Sequence, residues 1–253
     1  MKRYRLPILV LLLVAGLLAA IPAVQHLTGR RVILPPAAQA PLEGRLAEAG
    51  FSVGQPVHFR IFKEEDILEV WMERNGRFER ALSYPICAWS GRLGPKLREG
   101  DKQSPEGFYL VSSKQLKPDS SFHLALNIGF PNAFDTTQGR TGSFLMIHGA
   151  CVSIGCYAMT DAGIEDIYRL TEQALLKGQE AISVHIFPFR MTEERLAAAA
   201  AEPWSAFWRN LAEGDRLFHA TGQPPRAYAC GSRYGFAVGQ DPLPADCTPI
   251  KAW

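Results

Sequence analysis

One histidine and two cysteines fall within the ten residues from His148 to Tyr157, and Gly149 and Gly155 stand beside them. A thiol acts as a nucleophile when a base removes its proton, when backbone N–H groups stabilise the oxyanion, and when glycine lets the substrate approach closely. All three requirements can be met here. Most cysteines, however, are inert apolar residues, so the Cys–His pair alone does not separate a catalytic role from a structural one.

The order of secondary-structure elements around the Cys–His pair is a more specific signal than the pair itself. A strand from Ser143 to Ile147 is predicted before His148-Gly149, a Ser-x-Gly-Cys run covers Ser153 to Cys156, and a helix is predicted from Asp161 onward. This arrangement resembles the active-site signature of the YkuD-type L,D-transpeptidases, periplasmic or cell-surface cysteine enzymes that act on peptidoglycan stem peptides. The resemblance implies that His148 is the base and Cys156 the nucleophile.

Three departures from the usual family pattern narrow the resemblance. The loop between the two halves of the motif is nearly absent, Ile154 replaces a second histidine, and Ala158 stands where the family has an arginine. This compressed form resembles the YafK-like branch, whose members are linked to removing Braun's lipoprotein from peptidoglycan. The resemblance extends from about Val57 to Phe189.

The resemblance also implies roles for the neighbours of the pair. The carbonyl of Gly149 would orient the imidazole, and the N–H groups of Gly155 and Cys156 would form the oxyanion hole. Ser153 would fix the turn by a local hydrogen bond. No metal and no cofactor is implied, because the chain contains neither a nucleotide-binding glycine loop nor a carboxylate–histidine cluster at metal spacing.

Several functions stay open. Resolution of a Cys156 thioester by water gives an amidase that cleaves stem-peptide diaminopimelate from the C-terminal lysine of a Braun-type lipoprotein. Resolution by an amine gives an L,D-transpeptidase that forms crosslinks or attaches the lipoprotein. A non-catalytic peptidoglycan-binding envelope protein is a third reading. A papain-like protease is disfavoured, because there the histidine follows the cysteine along the chain.

The N-terminal residues predict export. Lys2, Arg3 and Arg5 precede an uncharged run from Leu6 to Val24, which predicts a signal peptide or an inner-membrane anchor over residues 1–27 and a periplasmic location. A proline- and alanine-rich linker is predicted over residues 28–41. Without the three basic residues the net charge falls from +2 to −1, which gives no electrostatic argument for nucleic acid.

The remaining chain predicts an α+β fold that is mainly β. Alternating apolar and polar residues from Val57 to Met72, followed by Asn75-Gly76, indicate half-buried antiparallel strands and a hairpin, with His58 facing solvent. Together with the resemblance to the YkuD-type family, this strand pattern predicts a β-sandwich or barrel catalytic domain with flanking helices over residues 42–190. Residues 191–253 are expected to form a helical and coil C-terminal extension.

Three further residues are candidates for substrate binding: Lys96, His123 and His185. Lys96 lies in a charged loop that could meet substrate carboxylates, although exposed charges usually have no function. His123 could border a cleft from its predicted strand. His185 lies in a buried-looking strand that is expected to pack beside the motif strand, and a core histidine is the alternative for it.

The five cysteines suggest one free thiol and up to two disulfides in an oxidising compartment. Cys230 and Cys247 bracket a glycine- and proline-rich tail and are predicted to pair. For Cys151 the sequence leaves three roles open: a structural residue, a partner of Cys87, or a resolving thiol.

Overall fold

A five-stranded sheet carries the fold, and its strand order is β3-β2-β1-β9-β4. Strands β1 and β9 are parallel and the other neighbours are antiparallel. The predicted hairpin at Asn75-Gly76 is confirmed, since both residues have positive φ, as a tight turn between β2 and β3 requires. The strands are β1 (Val57–Phe62), β2 (Ile67–Arg74), β3 (Arg77–Pro85), β4 (Gly107–Val111) and β9 (Ile182–Phe187).

Two smaller sheets complete the β-structure. One has the order β5-β6-β7-β8 and contains the motif strands, and the other has the order β11-β10-β12 and lies in the C-terminal region. None of these sheets closes into a barrel among the described residues, so the expectation of an α+β fold is confirmed in its open form. Their strands are β5 (Leu116–Lys117), β6 (Ala125–Asn127), β7 (Met146–His148), β8 (Tyr157–Ala158), β10 (Arg226–Cys230), β11 (Arg233–Ala237) and β12 (Thr248–Pro249).

The computed structural model describes residues 40–239 and 246–253. The predicted signal peptide or anchor and the linker up to residue 39 lie outside the described residues. Pro41–Trp253 forms one compact unit. Within the described residues, no helix combines the length and the apolar character that a membrane crossing requires.

The helices cover both faces of the five-stranded sheet. The helix predicted from Asp161 onward is present as α3 (Asp161–Leu176), and it is capped by the Thr160 side chain, which accepts from the N–H of Gly163. The helices are α1 (Leu42–Glu48), α2 (Ala133–Thr137), α3 (Asp161–Leu176), α4 (Glu193–Ala198) and α5 (Ser205–Thr221), with a 3₁₀ turn at Ser113–Gln115.

The core has two parts, one on each face of this sheet. Phe59 and Ile61 of β1 pack with α1, α3 and the motif sheet on the front face, while Phe62 packs with α4 and α5 on the back face. The expectation that His58 faces solvent is therefore wrong, since its side chain is fully buried on the back face against Phe218 of α5. An alternating strand pattern normally indicates one exposed face, but here the C-terminal region covers that face.

Candidate active site

The register of two short parallel strands sets the positions of the motif side chains. Strand β7 pairs with β8 so that Ile147 lies opposite Tyr157 and His148 opposite Ala158. Paired residues project to the same side of a sheet, and Cys156 stands two residues before Ala158. Cys156 immediately precedes β8, so this register brings it beside β7, the strand that ends with His148. Only residues 149–156 connect the two strands, whereas parallel strands are usually joined by a dozen residues or more.

His148 is held as a neutral base. Its ring is buried against Phe122, with 4.8 Å between the ring centroids, and its Nδ1 lies 2.7 Å from the carbonyl oxygen of Gly149. Because a carbonyl can only accept, Nδ1 carries the hydrogen and the Nε2 lone pair is left for proton transfer. Burial lowers the pKa of His148 below its usual value, and the bond to Gly149 partly opposes that shift.

Gly149 has a steric reason to be glycine. A Cβ at this position would come within 2.6 Å of Oδ1 of Asp161 and 3.0 Å of the carbonyl oxygen of Phe122. Asp161 accepts a hydrogen bond of 2.8 Å from the N–H of Ala150, so the carboxylate fixes the chain immediately after the His-Gly pair. A larger residue would displace this contact and, with it, the carbonyl that orients His148.

Cys156 is partly buried, and two serines hold its backbone. Ser153 Oγ donates to the carbonyl oxygen of Cys156 at 2.8 Å and Ser104 Oγ donates to it at 3.0 Å, while the Cys156 thiol lies 3.6 Å from the carbonyl oxygen of Phe144. Burial raises the pKa of the Cys156 thiol, partly offset by a hydrogen bond from the Met146 backbone and by the charge of Lys96. The resting pair is therefore a neutral thiol and a neutral imidazole.

A disulfide ties the connecting loop to its surroundings. Cys151 is bonded to Cys87, and the N–H of Cys87 donates to the carbonyl of Ala158 at 2.9 Å, so the bridge joins the loop to the β8 side of the motif. Ala150 and Cys151 both have positive φ, a conformation that residues other than glycine adopt rarely. The predicted Cys230–Cys247 pair is also bonded, which leaves Cys156 as the free cysteine.

The N–H of Gly155 already has a partner. It donates to Ser90 Oγ at 2.6 Å, so it can serve an oxyanion only by exchanging that hydroxyl for the substrate oxygen. Ser90 is itself linked to Ser104, whose Oγ accepts from the N–H of Ser90 at 3.1 Å. Ser104 begins a Ser-Pro-x-Gly run that is visible in the sequence, whereas Ser90 stands in a segment without any recognisable motif.

The three further candidates lie in different places. Lys96 is buried near Cys156, and its Nζ donates to Asp101 at 2.5 Å and to the carbonyl of Arg98 at 2.9 Å. His123 lies close to Gly149 but at the surface, where its Nε2 lies 2.7 Å from Glu165. Lys96 and His123 are thus near the motif, each with an acidic partner.

His185 lies elsewhere, and the expectation that its strand packs beside the motif strand is wrong. Strand β9 pairs with β1 and β4 in the five-stranded sheet, whereas His148 belongs to the separate motif sheet. The His185 ring faces the back of the sheet, 4.3 Å from the His58 ring and 4.6 Å from Phe108. Buried apolar strands carry no periodic signal for their neighbours, so the sequence alone could not fix this pairing.

Residues 40–239 and 246–253 contain no group of three or more histidine, cysteine or acidic side chains that could hold a metal ion.

Comparisons with known proteins agree on one family. The sequence model described as L,D-transpeptidase catalytic domain (YkuD) matches residues 60–186. The chain is 47% identical over 182 residues, covering 72% of this chain and 74% of the relative, to YafK of Escherichia coli K12, which is named as an L,D-transpeptidase. The same values hold for YafK of Escherichia coli O157:H7.

Solved structures with a similar fold include Pgp2 of Campylobacter jejuni, titled a helical cell shape determining protein. It is 20% identical, with a TM-score of 0.43, and the match covers 70% of this chain and 67% of that one. Bd1075 of Bdellovibrio bacteriovorus is 17% identical with a TM-score of 0.37, covering 66% of this chain and 62% of that one.

Proposed function

The chain belongs to the YkuD family of L,D-transpeptidase catalytic domains, cysteine-dependent enzymes of peptidoglycan, and we propose that it acts there as an amidase. Its substrate in this proposal is the amide between stem-peptide diaminopimelate and the C-terminal lysine of a Braun-type lipoprotein. The observation that carries the proposal is the arrangement of His148, with Nδ1 hydrogen-bonded to Gly149 and Nε2 left as a base, at the end of the strand that pairs with β8, immediately before which Cys156 stands.

The first half of the reaction transfers the acyl group to the thiol. His148 Nε2 takes the proton of Cys156 as the sulfur attacks the amide carbonyl, which forms the C–S bond and a tetrahedral oxyanion. When the oxyanion collapses, the C–N bond breaks, and the imidazolium gives its proton to the leaving lysine amine. The products are a thioester on Cys156 and the lipoprotein with its lysine amine restored.

Water completes the cycle. His148, neutral again, removes a proton from a water molecule that attacks the thioester carbonyl, and the thiolate leaves and recovers a proton. The stem peptide then ends in a free carboxylate. An amine in place of water would give a transpeptidase by the same first half, and the 47% identity to a protein named as an L,D-transpeptidase favours that second candidate.

Neighbouring residues supply charge and geometry for these steps. The N–H groups of Cys156 and Gly155 stabilise the oxyanion, with the Gly155 N–H released from Ser90 as the substrate oxygen arrives. The positive charge of Lys96 favours the thiolate form of Cys156. Ser153 and Ser104 hold the carbonyl of Cys156, so the nucleophile needs little reorganisation.

The location proposed for this reaction follows from its substrate. Peptidoglycan and its attached lipoprotein lie outside the inner membrane, so the enzyme would work in the periplasm. The N-terminal basic residues and the apolar run after them support export, with either cleavage or retention in the inner membrane.

The test uses the full-length chain and peptidoglycan that carries covalently attached lipoprotein. We expect the wild type to release free lipoprotein and leave tripeptide stems, and Cys156→Ala to release none. New crosslinks between diaminopimelate residues, without release, would replace the amidase with the transpeptidase. Absence of both reactions, together with a Cys156 thiol that resists labelling at neutral pH, would favour a non-catalytic binding protein.

A further inference from the structure

Large apolar side chains surround the catalytic pair and face solvent. Their exposed fractions are 79% for Ile154, 70% for Phe144, 55% for Val152 and 44% for Phe122. We name these four residues the apolar rim. Single exposed apolar residues are ordinary on protein surfaces, but a group of them marks a surface that contacts a partner.

Each member of the apolar rim is joined to the catalytic residues by chain or contact. Val152 and Ile154 lie in the loop that connects β7 to β8, and Ile154 precedes Cys156 by two residues. The carbonyl of Phe144 lies 3.6 Å from the Cys156 thiol. The ring of Phe122 packs on His148. Any molecule bound at the thiol therefore meets the apolar rim as well.

The polar groups closest to the apolar rim are already paired. Lys96 is bonded to Asp101, and His123 to Glu165. These two charged side chains beside the catalytic pair are thus engaged within the chain, which leaves the apolar rim to contact a ligand through apolar groups.

The two parts of the proposed substrate differ in what they can cover. A stem peptide presents carboxylates, amides and small methyl groups, which bury little of a phenylalanine or isoleucine side chain. A polypeptide that ends in the leaving lysine can present large apolar side chains close to the scissile bond. The apolar rim therefore suits the leaving-group side of the substrate, because apolar contact is gained only when both surfaces lose water.

Resting on the amidase function proposed above, we propose that the apolar rim binds an apolar segment of the polypeptide that ends in the leaving lysine. The enzyme would then select protein-linked stem peptides over stem peptides that carry only a small amine. Selection arises in binding and not in the chemical step, because the same thiol and imidazole act on both kinds of substrate.

Three synthetic substrates test this proposal with the full-length chain. All three carry the stem tripeptide joined through diaminopimelate to a lysine side-chain amine. In the first, the lysine is a single acetylated residue. In the second, it ends a short peptide with large apolar residues before it, and in the third those residues are serine. We expect kcat/KM to be about tenfold higher for the second than for the other two.

Three variants show whether the rim causes this preference. We expect Ile154→Ser to remove most of the advantage of the apolar substrate and Ile154→Leu to retain it. Leu176→Ser is the matched control, since Leu176 is 71% exposed at the end of α3 and lies outside the apolar rim, and it should leave all three rates unchanged.

Other results would overturn the proposal. Equal kcat/KM on all three substrates would show that the apolar rim does not bind the polypeptide. If Ile154→Ser lowers kcat/KM equally on all three substrates, the Ile154 side chain supports the conformation of the loop and does not bind the polypeptide. Self-association of the chain that Ile154→Ser abolishes would make the rim a contact between copies. If the wild type cleaves none of the substrates but labels normally at Cys156, the amidase function fails first.

Discussion

Two buried histidines, one in the motif sheet and one on the back face of the five-stranded sheet, show how burial can serve chemistry or stability. His148 of the motif sheet and His185 of the five-stranded sheet both end up neutral, because burial lowers the pKa of each. Their second nitrogens differ. The Nδ1 of His148 is hydrogen-bonded to Gly149, which leaves its Nε2 as a base, whereas Nδ1 of His185 is buried without a hydrogen-bond partner.

The surroundings explain the difference. The His185 Nε2 is bonded to Ser183 Oγ at 2.9 Å, and its ring packs among His58 and Phe108 beneath the C-terminal region. Protonation of His185 is opposed by burial and by the neighbouring Arg60 and His58. The position of a histidine on a strand thus says less about its role than the groups that can give it a proton and receive it.

The largest expected effect separates the two histidines by function. His148→Gln removes the base, and we expect kcat/KM on lipoprotein-bearing peptidoglycan to fall by about 10²- to 10⁴-fold. His185→Gln should change kcat/KM per folded molecule by less than about threefold, since its ring does not meet the substrate. Thermal unfolding of both variants provides the folded fraction. Equal losses of activity in two folded variants would refute the division between the faces.

The second prediction concerns the buried charges of the back face. Arg60 is buried among four aromatic rings and pairs with Asp215 of α5. Asp215→Ala leaves the guanidinium without its partner, and we expect unfolding free energy to fall by about 3–5 kcal/mol. Glu213→Ala, on the same helix, breaks an exposed pair with Arg233 and should cost about 0–1 kcal/mol. Chemical denaturation measures both, and similar losses would contradict the assignment.

The sequence was most informative where short patterns have one structural meaning. Asn75-Gly76 indicated a hairpin, Asp161 marked the start of a helix, and the spacing of His148 and Cys156 indicated the motif. Each depends on residues close together along the chain. The Cys230–Cys247 bond was also predictable, because the two residues bracket a glycine- and proline-rich tail.

Contacts between distant segments were not predictable. Ser90 reaches Gly155 across 65 positions, and His58 is buried because α5 packs over a strand about 150 residues earlier in the chain. The expectation of a helical and coil extension over residues 191–253 did not include strands β10 and β11, which pair as a hairpin. Glycine and proline around these strands weakened the strand pattern, and only the tertiary pairing defines them.

The third prediction compares the disulfide beside the catalytic motif with the disulfide in the C-terminal region. In the chain-entropy description, loops of 64 and 17 residues correspond to about 4 and about 3 kcal/mol of stabilisation. We therefore expect the paired substitution Cys87→Ser with Cys151→Ser to destabilise slightly more than Cys230→Ser with Cys247→Ser. The activities should differ far more, because only Cys151 lies in the loop between His148 and Cys156. Equal activity of the two folded variants would show that the Cys87–Cys151 disulfide does not position the catalytic residues.

The smallest expected effect is a pH dependence of stability that belongs to the back face. Burial lowers the pKa of His58 to about 3, and that of His185 also falls well below its usual value of about 6.5. The unfolded chain therefore binds these protons first as pH falls, and stability that is present above about pH 6.5 is lost toward lower pH. Each histidine contributes up to about 1.4 kcal/mol per pH unit.

His58→Phe should flatten the dependence of unfolding free energy on pH between about pH 5 and pH 6.5, where most carboxylates are already ionised in both states. Activity per folded molecule at pH 7 should be unchanged, which distinguishes this effect from titration of His148. Chemical denaturation at several pH values measures the slope. A slope that His58→Phe leaves intact would mean that the back-face histidines gain protons without unfolding. In that case the catalytic site and the back face would differ in geometry, but not in whether their histidines can take up a proton.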